Sequence, residues 1–191
     1  MSESYLSGLA VFLIETLTSL YVFALMLRFL LQWVEADFYN PISRFLVKIT
    51  HPPLRPLRRL IPSIGRIDTA SVVLMLVLQA LDIFLVSALQ QVSISPPGLL
   101  LAAVWRLLEL LYDIYFYSIL ISVALSWFAP RGYNPAVALL FALTEPLLRL
   151  FRRVLPPMGG IDLSPLLALI VLQFAKMVLQ PPLQQLIAML N

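Results

Sequence analysis

The sequence predicts an all-α integral membrane protein with four transmembrane helices arranged in two parallel repeats. Its composition is 61% hydrophobic and only 12% charged, where soluble domains have about 25% charged residues. The apolar residues gather in four runs, and the first and third are longer than the roughly 20 residues that a membrane-spanning helix needs. Residues 33–68 also return as residues 127–162, with 15 of 36 positions identical. We therefore expect two copies of a unit in which two spans flank the repeated segment.

The predicted segments follow from this repeat. Repeat one covers residues 1–92 and repeat two covers residues 99–191, with a linker at 93–98 that contains two prolines. The predicted transmembrane spans are residues 5–34, 69–92, 99–128 and 163–179. The basic segments between them are residues 35–67 and 130–162. Pro181 and Pro182 are expected to end or kink the last span, because proline lacks a backbone donor.

The distribution of basic residues predicts how the chain crosses the membrane. Six Lys and Arg residues lie in 35–67 and four in 130–162, while the linker 93–98 has none. By the positive-inside rule, both basic segments face the cytoplasm and both termini face the periplasm. The net charge of +3 is too small to indicate a nucleic-acid partner.

Each basic segment is predicted to form a short cytoplasmic amphipathic helical hairpin. Both copies contain Asn-Pro, at 40–41 and 134–135, which is typical of a helix cap followed by proline at the first helical position. The proline pair at 52–53 and Pro146 are expected to break these helices, because the residue before a proline disfavours helical geometry. A second short helix would then follow in each copy.

The second helix of each hairpin is expected to carry three arginines. They are Arg55, Arg58, Arg59, Arg149, Arg152 and Arg153. Arginines on one helix face can contact lipid phosphates while their stems pack on apolar surface. We expect them to bind anionic phospholipids, or a membrane or cytoplasmic protein partner. The alternative to a docking surface for a partner is that they only fix the topology and anchor the segments to anionic lipid.

Charged residues also occur inside the predicted spans, where each costs about 2.5 to 3.5 kcal/mol at a helix centre. The candidate intramembrane polar residues are Glu15, Asp82, Glu109, Asp113 and Lys176. One interpretation is that Glu15 and Glu109, which occupy equivalent positions, lie near a two-fold axis between the repeats and bind a cation or relay protons. The other is that Glu109 pairs locally with Arg106 near the outer headgroups. Arg28 is expected to anchor at the cytoplasmic interface.

Asp82 and Lys176 also occupy equivalent positions in the two repeats, and their charges are opposite. At about 1.5 Å per residue, both lie roughly 21 Å into the membrane, too deep for easy escape to the cytoplasmic surface. We expect an ion pair between them that fixes how the two halves dock. The alternatives are that Lys176 pairs with Asp113, or that each charge reaches the outer headgroups separately.

The side-chain inventory argues against most enzyme chemistry. The chain has no cysteine, and His51 is its only histidine. Disulfides, thiol chemistry, cysteine-ligated metals and a bis-histidine haem site are therefore excluded. There is also no glycine-rich phosphate loop. We expect a protein that is not an enzyme and that has no metal and no cofactor.

The repeated motifs resemble those of a known family. Both copies contain Tyr-Asn-Pro, Thr-x-Pro-x-Leu-Arg and Pro-x-x-Gly-x-Ile-Asp between apolar spans. The pattern covers nearly the whole chain and is similar to the YggT family, which includes the YlmG proteins and plastid relatives. The resemblance implies a multi-pass protein of the bacterial inner membrane. Members of that family are linked to osmotic or potassium stress, to cell and plastid division, and to haem attachment on a plastid b-type cytochrome.

Two functional hypotheses follow. The first is a non-enzymatic assembly or scaffold protein that recruits partners through its basic cytoplasmic segments, because most of the distinctive sequence lies there. The second is a cation channel or transporter that uses the intramembrane polar residues. Four helices leave little room for a pore, so the second hypothesis requires a homo-oligomer.

Overall fold

The computed structural model describes residues 2–128, 133–156 and 162–190. Its described part consists of six α-helices joined by short connections. In chain order they are α1 (Ser2–Trp33), α2 (Pro41–Leu60), α3 (Thr69–Leu89), α4 (Pro96–Phe128), α5 (Pro135–Val154) and α6 (Ser164–Leu190).

Four of these helices are long and apolar enough to cross a membrane. The candidate spans are Leu6–Trp33, Thr69–Leu89, Pro96–Ser126 and Ser164–Leu190. A helix of about 20 residues rises roughly 30 Å, which matches the hydrocarbon core of a bilayer. The predicted all-α, four-span architecture is confirmed. Helix α6 continues past Pro181 and Pro182, so these prolines do not end it.

The predicted caps of α2 and α5 are present. The side chain of Asn40 accepts a hydrogen bond from the backbone N–H of Ile42, at 2.9 Å. Asn134 accepts the equivalent bond from Ala136, also at 2.9 Å. A proline follows each cap at a position where its missing N–H costs nothing. Asn-Pro therefore starts the same helix in both repeats.

The predicted helical hairpins are wrong, because each basic segment forms one continuous 20-residue helix. Proline at position 53 leaves the carbonyl of Ile49 without its helical donor, four residues earlier. The hydroxyl of Tyr21, on α1, donates to that carbonyl at 3.3 Å. A contact from another helix thus replaces a bond that the local sequence cannot make.

Within each repeat the helices pack in the same way. The first helix packs against the second and third, and the second packs against the third, both in α1–α3 and in α4–α6. A shared core lies between α1, α2, α3, α4 and α5, with Leu25, Leu54, Met75 and Leu143 at its centre. The two connecting helices, α2 and α5, lie at the same end of the bundle and contact each other.

The two repeats lack the two-fold relationship expected between them. Helix α3 packs against α4, so a two-fold axis would also place α6 against α1. Among the described residues, α6 packs only on α4 and α5. The facing side chains give a reason: Asp82 on α3 pairs with Arg106 on α4, whereas their equivalents are Lys176 and Phe12, which cannot form that pair.

Candidate functional sites

An arginine–aspartate pair closes the end of each connecting helix. Arg58, in the last turn of α2, donates to the carboxylate of Asp68, which caps α3. Asp68 is only 2% exposed and also accepts a hydrogen bond from the hydroxyl of Ser71, at 2.5 Å. In repeat two, Arg152 Nε donates to Asp162 at 2.8 Å. The same guanidinium lies 2.9 Å from both carboxylate oxygens of Glu145.

Both aspartates are held in their charged form. Burial alone would raise the pKa of Asp68, but hydrogen bonds from Arg58 and Ser71 more than offset it, so the pKa lies below its usual value. Asp162 follows the same balance: burial raises its pKa, but hydrogen bonds from Ser164 and Arg152 together lower the pKa below its usual value. The hydrogen bond to Asp162 raises the pKa of Arg152 above its usual value. Arg58 and Arg152 therefore stabilise the fold through these ion pairs.

The other four predicted arginines are exposed on α2 and α5. They are Arg55, Arg59, Arg149 and Arg153. Arg149 lies 3.8 Å from Glu145, a contact between exposed groups that contributes little. Arg44 and Lys48 on α2 are also exposed. We call these six side chains the basic face, which lies at one end of the bundle because α2 and α5 do.

Arg28 is placed differently from the expected interface anchor. Its side chain is buried between α1 and α2, only 7% of the residue is exposed, and one guanidinium nitrogen donates to the hydroxyl of Thr50 at 2.7 Å. Thr50 in turn donates to the backbone carbonyl of Leu46 at 2.6 Å. The threonine occurs in both repeats, as Thr50 and Thr144, and this repetition could have marked it as a functional residue. It could not have identified Arg28 as its partner.

The intramembrane charges in the described part of the chain form three ion pairs, none of which is the predicted one. Arg106 donates to Asp82 at 2.5 Å and lies 3.9 Å from Glu15. Lys176 lies 3.3 Å from Asp113, so the predicted Asp82–Lys176 pair is wrong and its rival is present. The alternative that each charge reaches the headgroups alone is also wrong.

The local pair between Arg106 and Glu109 is absent from the described ion pairs. Arg106 reaches across to α3 instead. Lys176 lies 4.7 Å from the centre of the Tyr112 ring, in a cation–π arrangement. Tyr112 also donates to the side chain of Gln173 at 2.5 Å. Polar groups on α4 therefore bind both α3 and α6.

An open cavity of about 480 Å³ runs along this cluster between α1, α3 and α4. Its charged lining residues are Glu15, Asp82, Arg106, Glu109 and Asp113. Asp82 is 3% exposed, and its second carboxylate oxygen is buried without a hydrogen-bond partner. No group of three or more His, Asp or Glu residues in the described part has the arrangement of a metal site.

The comparison with known proteins agrees with the two-repeat architecture. The family model CCB3/YggT matches residues 7–89 and again residues 101–183. The chain belongs to the CCB3/YggT family. Each match covers one apolar helix, its amphipathic connecting helix and the following apolar helix, so the family unit is the repeat described above.

Curated relatives of this family match most of the chain. An uncharacterised protein of Pseudomonas aeruginosa is 41% identical over 174 residues, covering 90% of this chain and 88% of the relative. The protein YggT of Escherichia coli K12, also described as uncharacterised, is 40% identical over 166 residues, covering 87% and 86%. The protein ycf19 of the alga Porphyra purpurea is 44% identical over 62 residues, 32% of this chain and 65% of the relative. No solved structure shows a significant match.

Proposed function

We propose that this protein is a non-enzymatic assembly protein of the bacterial inner membrane that binds anionic phospholipids and a membrane or cytoplasmic protein through its basic face. The observation that carries the proposal is the exposure of four arginines, Arg44 and Lys48 at one end of the bundle. Each near-surface cation contributes about 1 kcal/mol to binding an anionic leaflet. Exposed apolar side chains on the same helices, such as Phe45, Leu60 and Val154, fit an interfacial location.

The proposal includes a cytoplasmic basic face and periplasmic termini, as the positive-inside rule predicts. Ser95 lies in the linker before α4, and Ser63 lies in the connection between α2 and α3. Because the chain has no cysteine, a single introduced cysteine reports one position. Ser95→Cys should react with an impermeant maleimide added from the periplasm, and Ser63→Cys should not. The reverse pattern would refute this orientation.

Lipid binding is tested by separating the exposed arginines from the paired ones. A variant with Arg55, Arg59, Arg149 and Arg153 changed to glutamine should lose most of its phosphatidylglycerol and cardiolipin during purification, while its melting temperature stays close to that of the wild type. The matched control changes Arg58 and Arg152, which should lower the melting temperature because their partners Asp68 and Asp162 are left unpaired. Full lipid retention in the fourfold variant would contradict the proposal.

A partner protein is tested with the same pair of variants. A protein that co-purifies in gentle detergent through the basic face should be lost from the fourfold variant, and raised salt should weaken the association. If the association survives both the fourfold substitution and raised salt, the partner binds another surface of the protein.

A second candidate function, a cation pathway, is favoured by the charged cavity between α1, α3 and α4. Four carboxylates and one arginine line it, so its wall has excess negative charge in a region of low dielectric constant. Such a pathway needs more than one copy of the chain, because one subunit has only four spans.

Proteoliposomes distinguish this second candidate. Potassium flux through purified protein should fall when Glu109 is changed to glutamine, while Glu35→Gln, which alters an exposed carboxylate paired with Arg66, should leave it unchanged. Flux that depends on Glu109 would displace the assembly hypothesis. No flux above that of empty vesicles would eliminate the pathway.

A further inference from the structure

A second cavity lies between α1 and α2, close to the C-terminal end of α1. Its volume is about 430 Å³, within the roughly 300–1,000 Å³ of small-ligand sites. Its polar lining residues are Arg28, Gln32, Glu35, Ser43 and Arg58, and the carboxylate of Glu35 is paired with Arg66 at 2.9 Å. Leu31, Phe38 and Leu46 are among its apolar lining residues. A polar end beside an apolar wall suits an amphiphilic ligand.

Arg28 brings a positive charge to this cavity without a carboxylate in direct contact, because Asp68 acts on it only at longer range and is paired with Arg58. No carboxylate in the described part of the chain lies within ion-pair distance of its guanidinium, and its hydrogen bond to Thr50 uses one of five N–H donors. A buried charge that lacks an opposite charge is costly. Arg58 lines the same cavity, and its charge is shared with Asp68. Glu35 also lines the cavity, but its carboxylate is paired with Arg66. With both carboxylates paired, the positive charge of Arg28 is left in excess.

Ser43 adds a second observation that is independent of charge. It is 8% exposed, and its hydroxyl oxygen is buried without a hydrogen-bond partner. Buried polar groups nearly always have partners. Since Ser43 lines the same cavity as Arg28, a ligand oxygen in the cavity would satisfy both side chains.

The equivalent region of repeat two lacks this arrangement. The positions that correspond to Arg28 and Ser43 are Ser122 and Val137. A cavity of about 430 Å³ is present there too, but Glu145 and Asp162 line it beside Arg152. Both carboxylates already bind that arginine. The positive cavity is thus specific to repeat one.

We propose that the cavity between α1 and α2 binds a phosphate-type oxyanion, carried by an anionic phospholipid or by a soluble phosphate compound. Arg28 and Ser43 bind the anion, and Arg58 places a second positive charge at the edge of the site. The guanidinium fork of Arg28 matches the geometry of phosphate oxygens. The proposal deepens the lipid-binding role suggested above, but it depends mainly on residues outside the basic face.

The test measures the melting temperature of the full chain in a neutral detergent. Phosphatidylglycerol, phosphatidylcholine and inorganic phosphate are added in separate titrations. For the wild type, phosphatidylglycerol should raise the melting temperature and phosphatidylcholine should not. The same effect from inorganic phosphate would identify a site open to soluble anions, and its absence would identify the phospholipid as the source.

Two variants assign the effect to the cavity. Ser43→Leu fills the polar end and leaves the Arg28–Thr50 bond in place, while Arg28→Gln removes the charge. Each should weaken the apparent affinity for the stabilising anion about tenfold or more. If Arg28→Gln fails to fold, Ser43→Leu decides alone.

The control changes Arg55 and Arg59 to glutamine. These two arginines lie on the basic face and do not line the cavity. This variant should keep the anion-dependent rise in melting temperature. The inference is overturned if neither phosphatidylglycerol nor phosphate stabilises the wild type, or if Ser43→Leu keeps the effect. Loss of the effect in the Arg55 and Arg59 variant with retention in Ser43→Leu would support the basic face and overturn the cavity site.

Discussion

At the scale of single residues, Thr50 is the acceptor on which buried Arg28 depends. Thr50→Val keeps the side-chain shape and leaves the guanidinium without that partner. Hydrogen bonds to charged groups contribute about 1.5 to 3 kcal/mol, so the variant should unfold at clearly lower temperature in detergent. Thr144→Val is the matched control, because Ser122 replaces Arg28 in repeat two. Equal losses in both variants would show that Arg28 does not depend on Thr50.

Asp68 makes the stability dependent on pH. Its pKa is lower in the folded chain than its ordinary value of about 3.9. Its contribution is therefore fully present above about pH 4 and is lost as the pH falls through the lower folded value. Asp68→Asn should cost about 2 kcal/mol at pH 7, where it removes charged hydrogen bonds. Thermal unfolding at a series of pH values should show the variant and wild type converging below about pH 4, and a constant difference would contradict this.

At the scale of helices, α2 remains continuous because α1 donates to a carbonyl that Pro53 leaves free. Tyr21→Phe removes that donor and should cost about 1 kcal/mol. Pro53→Ala restores the backbone N–H, so the same change should cost less in that background. A double-mutant cycle measured by unfolding in detergent gives the coupling. Additive losses would show that Tyr21 acts through packing alone.

The connecting helices show which features of the fold could be predicted from the sequence. Their starts were predictable, because Asn-Pro is a local signal whose meaning depends only on the next few residues. Their continuation past Pro52 and Pro146 was not, because proline locally favours a break in a helix. In α2, the carbonyl that Pro53 leaves free is bonded by Tyr21 from another helix, a contact that the local sequence does not show. Four spans were predictable from apolar length. The partner of Arg106 was not, since helix register alone cannot show which neighbour lies closest.

At the scale of the whole molecule, the packing between repeats is head-to-tail. Asn40 in repeat one donates to the backbone carbonyl of Pro135 in repeat two, at 2.9 Å. The equivalent residues, Asn134 and Pro41, are both exposed, and the side chain of Asn134 caps α5 through Ala136 instead. A head-to-tail contact leaves one unpaired surface at each end, and a second copy can extend it. We therefore expect α6 of one copy to pack on α1 of the next.

Cysteine crosslinking tests this packing in native membranes. Phe12 is equivalent to Arg106, and Met177 is equivalent to buried Ile83 on α3. Phe12→Cys with Met177→Cys should give intermolecular crosslinks, while either cysteine alone should not. Val178→Cys replaces Met177→Cys as the control at similar depth, because its equivalent, Phe84, is exposed on α3. Crosslinking by Met177→Cys alone would indicate a symmetric dimer instead, and no crosslink would indicate that lipid covers α6.

The relative position of the repeats also depends on the pair between Asp82 on α3 and Arg106 on α4. Asp82 is 3% exposed, and removing one partner of a buried pair costs about 3 to 5 kcal/mol. Arg106 is partly exposed, so we expect a loss near the lower end. Asp82→Arg and Arg106→Asp should each reduce the yield of folded, monodisperse protein, because each places two like charges together.

The double exchange should restore much of that yield, since the pair forms again with its charges reversed. The control exchanges Lys176 and Asp113, which pair within repeat two. Those single changes should also lower the melting temperature, but they should leave the contact between α3 and α4 intact. Glu15 lies 3.9 Å from Arg106, so Glu15→Gln should improve the double exchange further by removing a carboxylate beside the new aspartate. If the double exchange only adds the two single losses, the repeats are held by apolar packing between α3 and α4, and the ion pair has no part in their docking.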